Sequence, residues 1–453
     1  MKPNSATAGS AETSLSSVVL AAAVLAVCLT IFLPCPAPCS SDTRVLRFGK
    51  LWDGKGPLLS GALVVVEGNR VVDVTAEASA IPEGAEVIDL TGYTGLPGLI
   101  DVHTHMTYYW DRTPGTTPWS QAESMSPAMT VFLAQENALK TLEAGVTTVR
   151  DLGAFDPNSC VHMDIAMRDL INRGAMVGPR MFVCGYGLLP TFAPSYPGQV
   201  SPSWGRADGV ADVTRVVREQ IAAGADCIKM FASTGSASDL TGYQTFTFEE
   251  IKAAVDIAHA RGKHIAVHSY GPDAARDAVR AGANSIEHAT GMDDETIAEM
   301  ARRRIFYVPT IDHNRYYADN REDYGYSEEI EKQLRAFVER NLETARRAHK
   351  AGVPLAMGSD ALFTMFGENT RELGWFVKAG MTPEEALVTA TVNGAVLLGM
   401  ENELGRVAPG CYADIVAVEG NPLVDIDAAI HGVRWVMKDG KVVVDKTGSG
   451  KRD

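Results

Sequence analysis

Two histidines spaced two apart, His103 and His105, close the apolar stretch Leu96-Pro-Gly-Leu-Ile-Asp-Val-His-Thr-His. Alternate residues of a strand face the same side, so the two imidazoles address one point, which is a metal-ligand geometry. A His-x-His pair alone is a weak signal, but four later apolar runs end in residues that complete it. They are Lys229 in Asp226-Cys-Ile-Lys-Met-Phe, His268 in His264-Ile-Ala-Val-His-Ser-Tyr-Gly, His288 in Asn284-Ser-Ile-Glu-His, and Asp360 in Pro354-Leu-Ala-Met-Gly-Ser-Asp-Ala. Imidazole and carboxylate donors suit Zn²⁺, with Co²⁺ or Mn²⁺ able to use the same set. Lysine needs a separate reason, because an ammonium cannot ligate a cation. Burial among apolar neighbours disfavours its charge and leaves a nucleophilic amine.

The elements that must position these residues alternate. Strands are expected over 96–105, 147–151, 180–184, 227–231, 265–268, 285–288, 306–309 and 355–359, with helices between them. One helix opens on a capping box, Thr247 followed by Glu250. This predicts an α/β fold, a (β/α)8 TIM-like barrel over 96–400 with its chemistry at the C-terminal ends of the strands. Segments 106–129 and 185–208, rich in Pro, Gly, Ser and aromatics, read as irregular loops covering the site. Short β-like runs over 44–95 and 401–447 are expected to form one small composite β-sandwich domain from both chain ends.

The net charge of −15, without a basic run, argues against nucleic acid as a partner. Residues 18–33 form an apolar run shorter than the about 20 residues of a spanning helix, so 1–39 reads as a signal peptide. That implies an exported protein, periplasmic or secreted; the alternative is a retained N-terminal membrane anchor, and no other span is expected. Of the seven cysteines, Cys28, Cys35 and Cys39 fall in the leader, and Cys160, Cys184, Cys227 and Cys411 read as buried free thiols. His162, His259, His264, His349 and His431 fall outside the ligand pattern and read as structural. His313 and Arg315, after the seventh strand, are substrate-binding candidates; Arg315 either pairs with a substrate carboxylate or sits in an internal ion pair. Glu287, next to His288, should point the opposite way and pack or form a salt bridge. Asp151 and Asn369 are read as hydrogen-bonding residues that order the site and a loop.

The order His-x-His, Lys, His, His, Asp resembles the ligand set of the amidohydrolase superfamily, and the match spans nearly the whole chain after the leader. Gly178-Pro-Arg, His268-Ser-Tyr-Gly, Ile286-Glu-His, Gly358-Ser-Asp-Ala and Gly380-Met-Thr-Pro-Glu-Glu-Ala-Leu look like its imidazolonepropionase-related, Xaa-Pro dipeptidase-like branch, which includes ochratoxin-hydrolysing amidases. The resemblance implies two divalent metal ions, zinc first. His103, His105 and Asp360 would hold one, His268 and His288 the other, with Lys229 N6-carboxylated by CO2 between them. It also implies Asp360 as the proton carrier and Tyr270 as a carbonyl-polarising group. The implied reaction is release of a C-terminal amino acid from an N-acyl amino acid or dipeptide, a small-molecule or short-peptide substrate; a homo-oligomer is left open.

One departure bears on specificity. Relatives commonly carry Thr-Gly-Gly-His after strand three, whereas this chain reads Cys184-Gly-Tyr-Gly-Leu-Leu-Pro-Thr-Phe-Ala. A substrate-contacting histidine is missing and aromatic and apolar residues take its place, so a substrate with a bulky or aromatic acyl or side-chain group, ochratoxin-like, is expected. The rival readings are a lactonase or phosphotriesterase, and a mononuclear deaminase that would not use Lys229. A decayed, non-enzymatic binding protein should have lost ligands, yet all six positions are filled.

Overall fold

In the computed structural model the described residues are 43–77, 81–154, 161–191 and 205–448. The expected leader, Cys160 and positions 192–204 of the third loop lie outside them. Five strands come first: β1 (Thr43–Leu51), β2 (Leu59–Ser60), β3 (Leu63–Glu67), β4 (Arg70–Thr75) and β5 (Glu86–Pro97). β5 runs almost directly into β6 (Leu99–Thr104) through Gly98, where a Cβ would stand 2.2 Å from Thr147 Oγ1, so only glycine fits.

β6 begins the catalytic half. It continues through β7 (Val146–Asp151), β8 (Arg180–Val183), β9 (Cys227–Phe231), β10 (His264–Ser269), β11 (Ser285–His288) and β12 (Phe306–Val308), with helices between successive strands. The pairs are parallel and form two arcs, β6-β7-β8 and β9-β10-β11-β12. Every residue of β6, β7, β11 and β12 is buried, as expected of strands covered on both faces. Backbone bonds bridge the arcs, from Leu188 N to Lys229 O at 2.8 Å on one side. On the other, Ala356 N donates to Tyr307 O at 3.1 Å and Asp360 N to His103 O at 2.7 Å.

The chain then returns to the first sheet with β13 (Ile415–Val418), β14 (Val433–Lys438) and β15 (Lys441–Asp445). β13 pairs antiparallel with β5, so strands from both ends share one eight-stranded sheet in the order β15-β14-β13-β5-β1-β3-β4, with β2 on β1. Leu46, Phe48, Val64, Ile415 and Trp435 belong to one buried cluster there.

Two expectations are corrected. Residues 355–359 do not form a regular strand: Leu355 makes a single bridge to Tyr307 of β12, and the next bridge, Ala361 to Thr104 of β6, comes only after Asp360, whose φ of 54° takes the chain out of extended geometry. Segment 106–129 is not irregular throughout: helices span Pro118–Ser124 and Pro127–Leu133. Thr117 and Ser126 cap them and a proline opens each, so residues read as loop formers act here as helix starts. The helix Phe248–Ala260 carries the expected Thr247/Glu250 capping box. No helix among the described residues is long and apolar enough to cross a membrane.

Candidate metal centre

His103, His105, Lys229, His268, His288 and Asp360 line one recess of about 800 Å³, part of it open to solvent. All six are buried. Ligand atoms of His103, His288 and Asp360 lie within 4.8 Å of one another. His105 Nε2 stands 3.1 Å and His103 Nε2 3.5 Å from Asp360 Oδ1, and Lys229 Nζ is 3.5 Å from His103 Nε2. The ring of His268 meets that of His288 edge-on at 4.6 Å.

The histidines are aimed by what their other nitrogen does. His103 Nδ1 faces Glu287 Oε2 at 2.8 Å, and His105 Nδ1 faces Gly153 O at 2.9 Å. An acceptor at Nδ1 fixes the proton there and leaves the Nε2 lone pair for the recess. His268 Nε2 is buried without a hydrogen-bond partner. His288 Nδ1 meets Thr310 Oγ1 at 2.7 Å and stands 3.9 Å from Asp360 Oδ2.

Burial sets the protonation states. It pushes His103 down to about 4, and drives His268 and His288 well below the usual imidazole range. It lowers Lys229 as well. For Asp360 burial works the other way, but His313, His103 and His105 together hold the carboxyl well below its ordinary value. His105 is raised: burial opposes its charge, and the bond to Asp360 outweighs it. Three imidazoles held neutral by burial, those of His103, His268 and His288, with a carboxylate and a lysine poised toward the free amine, are the donor chemistry of a divalent-metal site.

Glu287 takes the salt-bridge role expected of it, with Arg150 Nη2 at 2.9 Å, but it does not face away from the ligands: its other oxygen meets His103 Nδ1, and His288, at φ 70°, departs from strand geometry. Burial alone would raise its carboxyl; Arg150 and His103 draw it down to about 2.

Tyr270 lines the recess and stacks on His268 at 5.1 Å. His313 lines it too, with Nδ1 on Asp360 O at 2.9 Å and Nε2 3.3 Å from Asp360 Oδ2. Arg315 does not line it: its guanidinium meets Asp312 at 2.6 Å, Asp319 at 2.9 Å and Glu368 at 3.1 Å, an internal ion-pair network. Asp151 accepts a bond from Met106 N and is pushed up to about 7 by burial. Asn369 Nδ2 donates to Asp101 Oδ2 at 3.0 Å, and Ser359 N to Asp101 Oδ1 at 2.9 Å, so Asp101 anchors the loop that presents Asp360.

Sequence reasoning missed Asp101, Arg150 and Glu372. Glu372 caps the helix Ile311–Asp319, taking Ile311 N and Asp312 N at 2.9 Å each, and so steadies His313. For Asp101 the signal was a charged residue inside an apolar run, Leu99-Ile-Asp-Val. Aromatic rings wall the mouth: Tyr108 lies 5.6 Å and Trp119 5.1 Å from Phe363.

The amidohydrolase family model matches residues 94–443. Ochratoxinase of Aspergillus niger is 31% identical over 436 residues, covering 89% of this chain and 87% of that protein. Imidazolonepropionase of Anaeromyxobacter sp. (strain K) is 27% identical over 423 residues, covering 85% and 91%. The crystal structure of a Xaa-Pro dipeptidase with bound methionine superposes with a TM-score of 0.78 at 31% identity, covering 88% of this chain and 99% of that one. The fold is therefore TIM-barrel-like α/β, and the chain belongs to the amidohydrolase family and is a hydrolase of amide or peptide bonds.

Proposed function

We propose that this hydrolase uses two divalent metal ions, zinc first, to release a C-terminal amino acid from an N-acyl amino acid or dipeptide bearing a bulky aromatic group. The observation that carries the reading is Lys229: a buried amine with lowered proton affinity, 3.5 Å from a histidine and surrounded by the other five donors. A mononuclear deaminase has no use for it.

His103, His105 and Asp360 would hold one ion, and His268 and His288 the other. The neutral amine of Lys229 would be carboxylated by CO2, forming an N–C bond at the expense of one C=O π bond and releasing one proton, and would then offer carboxylate oxygens as ligands. Bound there, the pair supplies an activated hydroxide and Lewis acidity toward the scissile carbonyl. Asp360 takes the proton of the attacking water and delivers it to the leaving nitrogen, a role suited to a carboxyl held ionised by three histidines. Tyr270, neutral because burial raises its hydroxyl, donates a hydrogen bond to the carbonyl oxygen. His313 keeps Asp360 in place from below. The aromatic mouth excludes water and receives the acyl group. The barrel over 96–400 carries this chemistry, and segments 44–95 and 401–447 form the composite β-sandwich beside it.

The test is amino-acid release by the purified chain, supplied with Zn²⁺ and bicarbonate, from aromatic N-acyl amino acids and dipeptides. Release, two metal ions per chain, and a loss of at least about a hundredfold in Lys229→Ala are expected. Undiminished activity in that variant would favour the mononuclear reading, and activity only on esters or phosphotriesters the lactonase or phosphotriesterase reading.

A further inference from the structure

A cavity that selects a free carboxylate ordinarily presents a guanidinium or ammonium to it, because charge-assisted, bidentate pairing is the strong and directional way to read that group. The loops and short helices that follow the barrel strands carry five arginines: Arg112, Arg206, Arg315, Arg321 and Arg371. Four are committed elsewhere. Arg112 holds Asp323 at 2.9 Å, Arg315 holds three carboxylates, Arg321 holds Glu331 at 3.1 Å, and Arg371 stands 3.6 Å from both Asp312 and Glu368. None of the five lines the recess. Positions 155–160 and 192–204, outside the described residues, contain no Lys, Arg or His.

Two candidates inside the recess are also engaged. Lys229 is a member of the metal-ligand set, and both ring nitrogens of His313 face Asp360. Arg150 is turned into the barrel toward Glu287 and Val102 O. What faces the space around the ligands is apolar or neutral: Leu152, Leu189, Phe231, Leu362, Tyr108 and Trp119.

Resting on the amidase reading above, we propose that the enzyme does not require a free carboxylate on the leaving side of the scissile bond. Its substrate class then extends beyond N-acyl amino acids to aromatic acyl amides with an uncharged leaving side, such as a capped amino acid or an arylamide. Recognition comes from the acyl group against the aromatic mouth.

The experiment uses the full chain, loaded with Zn²⁺ in bicarbonate, and a matched pair: an N-aroyl-phenylalanine and its carboxamide, N-aroyl-phenylalaninamide. Release of phenylalanine or phenylalaninamide is followed by amine detection. The proposal expects kcat/KM for the carboxamide to equal or exceed that for the free acid, with the ratio unchanged in Arg112→Ala, an exposed arginine of the loop after β6. A preference for the free acid of more than about tenfold overturns it, since sites built to bind a polar substrate group reject analogues lacking it by orders of magnitude. A free-acid preference that disappears in Arg112→Ala also overturns it and names the reader. Cleavage of neither compound with metal bound removes the amidase reading itself, and this inference falls with it.

Discussion

Glu287 shows how much one buried carboxylate can organise. It accepts from His103 Nδ1 and neutralises Arg150, and both partners are as buried as it is. Removing one member of such a group leaves the other charge uncompensated, which costs about 3–5 kcal/mol. Glu287→Ala should lower urea-unfolding stability by roughly that amount and weaken metal retention, because His103 loses the acceptor that fixes its tautomer. Glu287→Gln should do less to stability. The carboxyl is held at about 2 against an ordinary 4.5, so its contribution is complete above 4.5 and is lost as pH falls toward 2. The stability gap between wild type and Glu287→Gln, measured by urea unfolding of the metal-free chain, should stay constant from about pH 8 to about pH 5 and shrink below that. A gap that widens on acidification would show that Glu287 is not ionised in the folded chain.

At the scale of the element, the segment after β12 does the work of an eighth strand without strand geometry. Gly358 passes so close to β6 that a Cβ would stand 2.8 Å from His103 Cβ and 2.4 Å from Val308 Cγ1. Gly358→Ala must push these apart, at about 1–3 kcal/mol, and it moves Asp360, two residues on. A displacement near 1 Å lowers kcat about a hundredfold, so this variant should lose activity out of proportion to its stability. The helix Phe248–Ala260 gives the contrast. Thr247→Ala removes a cap remote from the metal ligands, at about 1 kcal/mol, and should leave kcat/KM unchanged; urea unfolding and steady-state kinetics together check both variants.

Across the whole molecule, the two halves of the chain are tied by Arg180. It opens β8, reaches Asp414 at 2.5 Å, also pairs with Asp439, and lies 4.0 Å over the Tyr412 ring. This explains the arginine of Gly178-Pro-Arg, which has no part in the recess. Arg180→Ala leaves Asp414 buried and unpaired, so unfolding stability should drop by about 3–5 kcal/mol, while kcat/KM of the protein that remains folded should not change. A selective loss of activity would mean instead that the first sheet transmits its position to the ligands.

The six candidate ligand positions, which line one recess, were legible in the sequence because each rests on a local rule: an apolar run marks a strand, and its last residues stand at the end where a barrel gathers its chemistry. The capping box of Phe248–Ala260 was legible for the same reason. The supports were not. Glu287 meets His103 across 184 positions and Asp101 meets Ser359 across 258, contacts that exist only once the arcs come together. His288 and Asp360 take positive φ, which strand periodicity does not assign, and the pairing of Arg315 with Glu368, beyond its two partners within the helix, depends on how that helix settles against a distant loop. Residue type and period determined which side chains do chemistry; the tertiary structure decided which neighbours hold them, because burial and charge pairing are properties of what the folded chain brings together.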